Sequence, residues 1–122
     1  MKVAVVDDEP AVRKALTRLL RAAGYVPSAY ASGAEFLAAL AHERFACLIL
    51  DLQMPGMSGL DVQAGPEFRQ AAVPAIIISA RDERDARQTC LAAGAFAYLT
   101  KPVDDGELLA AVQAASSAPA SH

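Results

Sequence analysis

The chain has 122 residues, is 54% hydrophobic and carries a net charge of −3, the size and composition of one domain that buries a core without staples. Its 11 Lys and Arg read as scattered along the sequence, which leaves no basic footprint and argues against direct DNA binding. Cys47 and Cys90 lie in apolar segments with no metal or redox spacing, so buried free thiols in a reducing compartment are expected.

In chain order, MKVAVVDDEP is too poor in apolar residues for a signal segment, and no run approaches membrane length, so a soluble cytoplasmic protein is expected. Val3 to Val6 is a short β-branched run, the pattern of a strand covered on both faces, and it ends at Asp7. EPAVRKALTRLLRAAG comes next as a helix, with Pro10 in its first turn, Val12, Leu16, Leu19 and Leu20 on one face, and Gly24 as its stop. YVPSAY reads as an edge strand because Pro27 interrupts it. Ser32 is expected to cap the second helix, with Glu35 completing a capping box before Phe36, Leu37 and Leu40.

ACLILD and AIIIS repeat the buried-strand pattern. The helix between them starts at Ser58, and Gly65-Pro66 predicts that it is broken or abbreviated. DERDARQTCLAAG is a helix ended by Gly94, FAYL a short strand, and Asp104 or Asp105 the cap of a last helix. Five strands alternating with five helices specify an α/β fold, a doubly wound parallel sheet in one domain over residues 1–115. Residues 116–122 read as a flexible tail or the start of an interdomain linker.

In such sheets the functional crevice lies beyond the carboxyl ends of the strands. Asp7 and Asp8 follow the first strand, Asp51 ends the third, Ser79 ends the fourth and Lys101 follows the fifth. These groups are expected to converge. Carboxylates brought this close repel one another unless a cation neutralises them, which implies a hard divalent ion, Mg²⁺ or Mn²⁺. Asp51 is then placed to act as a carboxylate nucleophile toward phosphorus, with Lys101 and the Ser79 hydroxyl on the phosphoryl oxygens. The Gln53 carbonyl is a further metal-ligand candidate, while Pro55, Gly56 and Gly59 shape the adjoining turn. Met54 and Met57 read as packing, and His42 and His122 as solvated.

VVDDEP, LDLQMPGMSG, IIISA and YLTKP, in this order across residues 2 to 115, together resemble the receiver domain of bacterial two-component response regulators. The resemblance implies a flavodoxin-like (βα)5 fold with strand order 2-1-3-4-5. It implies that Asp51 takes a phosphoryl group from a sensor histidine kinase, with Mg²⁺ held by Asp8, Asp51 and the Gln53 carbonyl and by Asp7 through a water. Lys101 would contact the phosphoryl group, Ser79 would follow it, and Tyr98 would be the switch aromatic, altering the face formed by the fourth helix, fifth strand and fifth helix. Such a domain is not an enzyme on external substrates but catalyses only its own phosphorylation and dephosphorylation. It controls an output such as transcription through a C-terminal helix-turn-helix domain in a longer chain, with a homodimer on phosphorylation. Gln53 and Arg81 occupy positions that tune dephosphorylation in the family, and Gly65-Pro66 departs from its regular third helix. Three other readings compete, of which a receiver scaffold that binds partners without phosphorylation is argued against by the complete set of acids. A dehalogenase-like phosphatase wants Asp-x-Asp, where position 53 is Gln; a flavodoxin-like nucleotide binder wants a phosphate loop where DDEP is anionic.

Overall fold

The computed structural model describes residues 1–54, 56–80 and 84–117. Pro55, Arg81 and His122, for which roles were expected above, lie outside the described residues. The elements run β1 (Lys2–Val6), α1 (Pro10–Ala22), β2 (Val26–Tyr30), α2 (Gly33–Ala39), β3 (Cys47–Asp51), α3 (Gly59–Ala64), α4 (Pro66–Ala71), β4 (Ala75–Ser79), α5 (Arg84–Ala92), β5 (Ala97–Thr100) and α6 (Asp105–Ser117). The strands form one parallel sheet in the order β2-β1-β3-β4-β5.

Strand pleating divides the core in two. Val3, Val5, Cys47, Ile49, Ile76 and Ile78 face one side, where Leu20 of α1 and Leu108, Val112 and Ala115 of α6 cover them. Ala4, Val6, Leu48, Leu50 and Ile77 face the other, against Phe36 of α2, Val62 of α3, Phe68 of α4 and Cys90 of α5. Because β1, β3 and β4 are covered on both faces, their sequences are apolar without alternation. β2 lies at the edge, where the missing N–H of Pro27 costs no ladder bond in the middle of the sheet.

Helix ends obey local chemistry. At Gly24 (φ 92°) and Gly94 (φ 104°) the chain turns left-handed. The N–H groups of Tyr25 and Ala95 then reach back to the carbonyls of Leu20 and Cys90, closing α1 and α5. The expected capping box at Ser32 is only half formed: Ser32 Oγ accepts from the Glu35 N–H, but the Glu35 carboxylate meets that same hydroxyl. The reciprocal box is at Ser58 and Asp61 instead, where each side chain satisfies the other's backbone N–H. Asp104 caps α6 by accepting from Glu107 N–H at 3.0 Å.

The helix count is corrected as well. The segment after β3 forms two helices, so six rather than five helices are described: proline excludes the helical conformation from the residue before it, and Gly65 is extended (ψ 137°) with Pro66 opening α4. The last helix, α6, runs to Ser117. The basic residues are also less scattered than they read in one dimension, since Arg13, Lys14, Arg18 and Arg21 all lie on α1.

Candidate functional site

Register builds the site. Val6 pairs with Leu50, which brings Asp7 level with Asp51 across the β1–β3 boundary. Asp51 pairs with Ile78, and Ser79 with Thr100, so Ser79 and Lys101 lie at the same edge. Asp7, Asp8, Asp51 and Lys101 therefore meet at the carboxyl ends of the strands, and Ser79 closes β4 at the same edge. Asp7, Asp51 and Ser79 are buried, whereas Asp8 is exposed.

Two aspartates end their strands in the same way. Asp7 Oδ1 accepts from the Glu9 N–H at 2.9 Å, and Asp51 Oδ1 accepts from the Gln53 N–H at 3.2 Å. Each is a carboxylate folded onto the amide two residues ahead, which fixes its orientation. Asp7 Oδ2 is left buried and accepts no hydrogen bond. Lys101 Nζ stands 3.7 Å from it and 3.7 Å from Asp51 Oδ1, so one ammonium faces both acids. The Lys101 N–H donates to the Ser79 carbonyl at 2.7 Å, which ties the lysine to the end of β4.

Burial raises the pKa of Asp51. The Gln53 N–H works against that rise, Asp7 adds to it, Lys101 opposes it, and Asp8 adds again. Asp7, Asp8 and Asp51 each present a carboxylate oxygen within 4.8 Å of the others. This all-oxygen anionic donor set, with one buried oxygen lacking a hydrogen-bond donor, suits a hard divalent cation.

The loop after Asp51 packs against the site's back. A Cβ on Gly59 would stand 3.0 Å from Leu52 Cα and 3.1 Å from the Asp51 carbonyl oxygen, so the start of α3 approaches β3 more closely than a side chain permits. A Cβ on Gly33 would meet Val62 Cγ2 at 2.5 Å and Met57 Sδ at 2.9 Å. Met57 packs there and Met54 is buried, as expected. Tyr98 is buried on the α5 side of the sheet, its ring 6.0 Å from the Arg87 guanidinium carbon. His42 is exposed and away from the acids. Sequence reasoning missed Arg13, whose Nη1 donates to the Asp7 carbonyl at 2.7 Å; its place one turn into α1 after the acidic pair was the available signal.

A profile of the response regulator receiver domain matches residues 3–113. The chain belongs to the response regulator receiver family. It is 40% identical over 113 residues to the DNA-binding transcriptional regulator NtrC of Escherichia coli (strain K12), covering 93% of this chain and 24% of NtrC. It is 38% identical over 111 residues to the response regulator protein TodT of Pseudomonas putida, covering 91% of this chain and 49% of TodT. The receiver protein from Burkholderia phymatum superposes with a TM-score of 0.84 at 44% identity, covering 98% of this chain and 97% of that one. The chain thus spans from about a quarter to about half the length of these curated relatives. As a receiver it acts on its own phosphorylation state, with the acidic cluster as the seat of that chemistry, and the competing phosphatase and nucleotide-binder readings fall away. Among the described residues no helix is long and apolar enough to cross a membrane.

Proposed function

We propose that this receiver takes a phosphoryl group from the phosphohistidine of a sensor histidine kinase onto Asp51. The observation that carries the reading is the single ammonium of Lys101 held 3.7 Å from both Asp7 and Asp51 beside the exposed Asp8. An Asp51 carboxylate oxygen forms the new P–O bond as the P–N bond of the donor breaks, and the departing imidazole keeps its electron pair and picks up a proton. Lys101 binds the transferred phosphoryl oxygens as a point charge.

Asp8, Asp51 and the Gln53 carbonyl would hold Mg²⁺, or Mn²⁺ in its place, with Asp7 acting through a water. When bound, the ion neutralises the carboxylates and contacts phosphoryl oxygen. The residues' own contribution is positioning: the amides of Glu9 and Gln53 aim the two buried carboxylates, and Lys101 prevents their mutual repulsion from opening the site.

The new group brings about −1.5 to −2 charges and three acceptor oxygens. The Ser79 hydroxyl turns toward them, and the Tyr98 ring moves into the space released, reshaping the α5-β5-α6 face. The two states differ by only a few kcal/mol, since a ligand shifts an equilibrium by no more than its differential affinity. Residues 1–115 act as the receiver unit, and the chain beyond residue 115 leads to an output. NtrC's description as a DNA-binding transcriptional regulator supports transcription as that output, through a C-terminal helix-turn-helix domain in a longer chain. Phosphorylation promotes a homodimer, which sedimentation before and after phosphorylation tests. Gln53 and Arg81 set the lifetime of the phosphoryl group.

Intact mass after incubation with acetyl phosphate and Mg²⁺ tests the central reading. One adduct is expected, absent in Asp51→Asn and after chelation. An adduct that survives in Asp51→Asn would overturn it.

A further inference from the structure

We propose that the groove along α1 binds a carboxylate-rich segment of another protein. The groove has a volume of about 420 Å³ and runs between α1 and Ala29 of the edge strand β2, lined by Arg13, Lys14, Thr17, Arg18 and Arg21. Four of the chain's 11 basic residues thus share one concave surface of a protein whose net charge is −3.

Nothing on the helix neutralises them. The sequence of α1, PAVRKALTRLLRA, contains no acid, and no ion pair among the described residues involves any of the four. Lys14, Arg18 and Arg21 are exposed and have the i, i+4, i+7 spacing of one helical row, so their charges repel along roughly 10 Å of helix. Arg13 is held in place by its bond to the Asp7 carbonyl, and Thr17 Oγ1 donates to the Arg13 carbonyl. The groove is thus built in part before anything enters it. Glu9, exposed just before Pro10, closes the basic stretch at its site end.

Range and shape select the occupant. A nucleic acid or an anionic membrane extends well past the groove, and its field meets the net negative charge of the rest of the chain. A duplex binder typically neutralises about 6–10 phosphates, more than one short row supplies. A short acidic segment concentrates its charge within a Debye length of about 8 Å and feels mainly the basic row. A second copy offers Asp104, Asp105 and Glu107 at the exposed start of α6, but these acids are fixed within one helical turn, about 5 Å, half the length of the basic row. An acidic segment on a different protein therefore fits best. Of the groove's lining only Arg13 touches the phosphoryl site, through the Asp7 carbonyl, and the test leaves Arg13 unchanged, so this inference and the phosphoacceptor reading stand or fall separately.

Fluorescence anisotropy with a labelled hexaglutamate peptide tests it on the intact chain. Saturable binding is expected that weakens steeply with added salt. It should weaken roughly tenfold in Lys14→Ala/Arg18→Ala/Arg21→Ala, while the charge-retaining Lys14→Arg/Arg18→Lys/Arg21→Lys binds like the original. These residues are exposed, and unchanged adduct formation with acetyl phosphate reports that the triple variant is folded. Binding that is absent, or equal in the alanine variant, would overturn the proposal. So would stronger capture of a single-stranded oligonucleotide or of phosphatidylserine vesicles through the same residues, or salt-sensitive self-association lost in the alanine variant.

Discussion

The ammonium of Lys101 stands 3.7 Å from Oδ2 of Asp7, a buried oxygen that accepts no hydrogen bond. That ammonium faces two buried carboxylates at once, because it is equally far from Asp51 Oδ1, where it adds to the larger effect of the Gln53 N–H. Lys101→Met is therefore expected to destabilise the metal-free protein by about 1–3 kcal/mol, below the cost of breaking a fully buried pair since the lysine is partly exposed. Urea unfolding with and without Mg²⁺ checks this. Mg²⁺ should recover more stability in the variant than in the original, because it supplies the missing positive charge.

Asp51→Asn should act in the opposite sense. Burial raises the pKa of Asp51 despite the Gln53 N–H, so the folded state holds this proton more tightly than the unfolded state. The stability it contributes is complete below the ordinary carboxylate range and is lost as pH rises through the raised value. Removing the charge is expected to stabilise the metal-free protein at pH 7 by about 1 kcal/mol, roughly 3–5 °C in Tm. Melting curves in chelator across pH 4–8 should show a gap between the two proteins that widens with pH. A gap that narrows would contradict the raised pKa.

Gly59→Ala tests the close approach behind the acids. Its Cβ would press on Leu52 Cα and the Asp51 carbonyl, both backbone atoms with little room to yield. A loss of about 1–3 kcal/mol is expected, together with slower adduct formation from acetyl phosphate, since the displaced segment carries Asp51, the proposed acceptor. Gly56→Ala is a useful contrast: its Cβ meets nothing within 4 Å, but its φ of 80° is strained for alanine, so stability should fall with less effect on the rate of phosphorylation.

The thiols should be silent in the native protein. Burial pushes the Cys47 thiol up to about 12, and burial also raises that of Cys90. Neither is expected to react with a thiol-specific reagent at pH 8 except through opening of the fold. Labelling of both should accelerate with urea in parallel with loss of helical signal.

Much of this was legible in one dimension for a physical reason. A strand buried on both faces must be apolar throughout, so Asp7, Asp51 and Ser79 were visible as the points where that requirement stops, and topology placed those points together. Gly65-Pro66 announced its break because proline acts on its own neighbour. What was not legible depended on geometry in three dimensions. Ser32-x-x-Glu35 and Ser58-x-x-Asp61 look alike as spacings, and only side-chain direction decides which box closes. Arg13, Lys14, Arg18 and Arg21 crowd into positions 13–21 of the sequence itself, and helical winding adds only the alignment of Lys14, Arg18 and Arg21 in a row. The carboxylates' bonds to the amides of Glu9 and Gln53 likewise required the turn conformation itself.

The order of the strands divides the site between anchored and yielding parts. Asp51 ends β3, the middle strand of five, bonded to a neighbour on each side, whereas Lys101 and Tyr98 belong to β5 and its end, and β5 has a neighbour on one side only. On the function proposed above, the acceptor is a fixed reference point, while the groups proposed to register its charge sit on a strand that can shift with few bonds disturbed. Amide hydrogen exchange should grade accordingly, slowest along β3 and faster along β5. An outermost strand is usually where a sheet is vulnerable; under the proposed function that looseness would let a chemical event at the centre be felt at the rim.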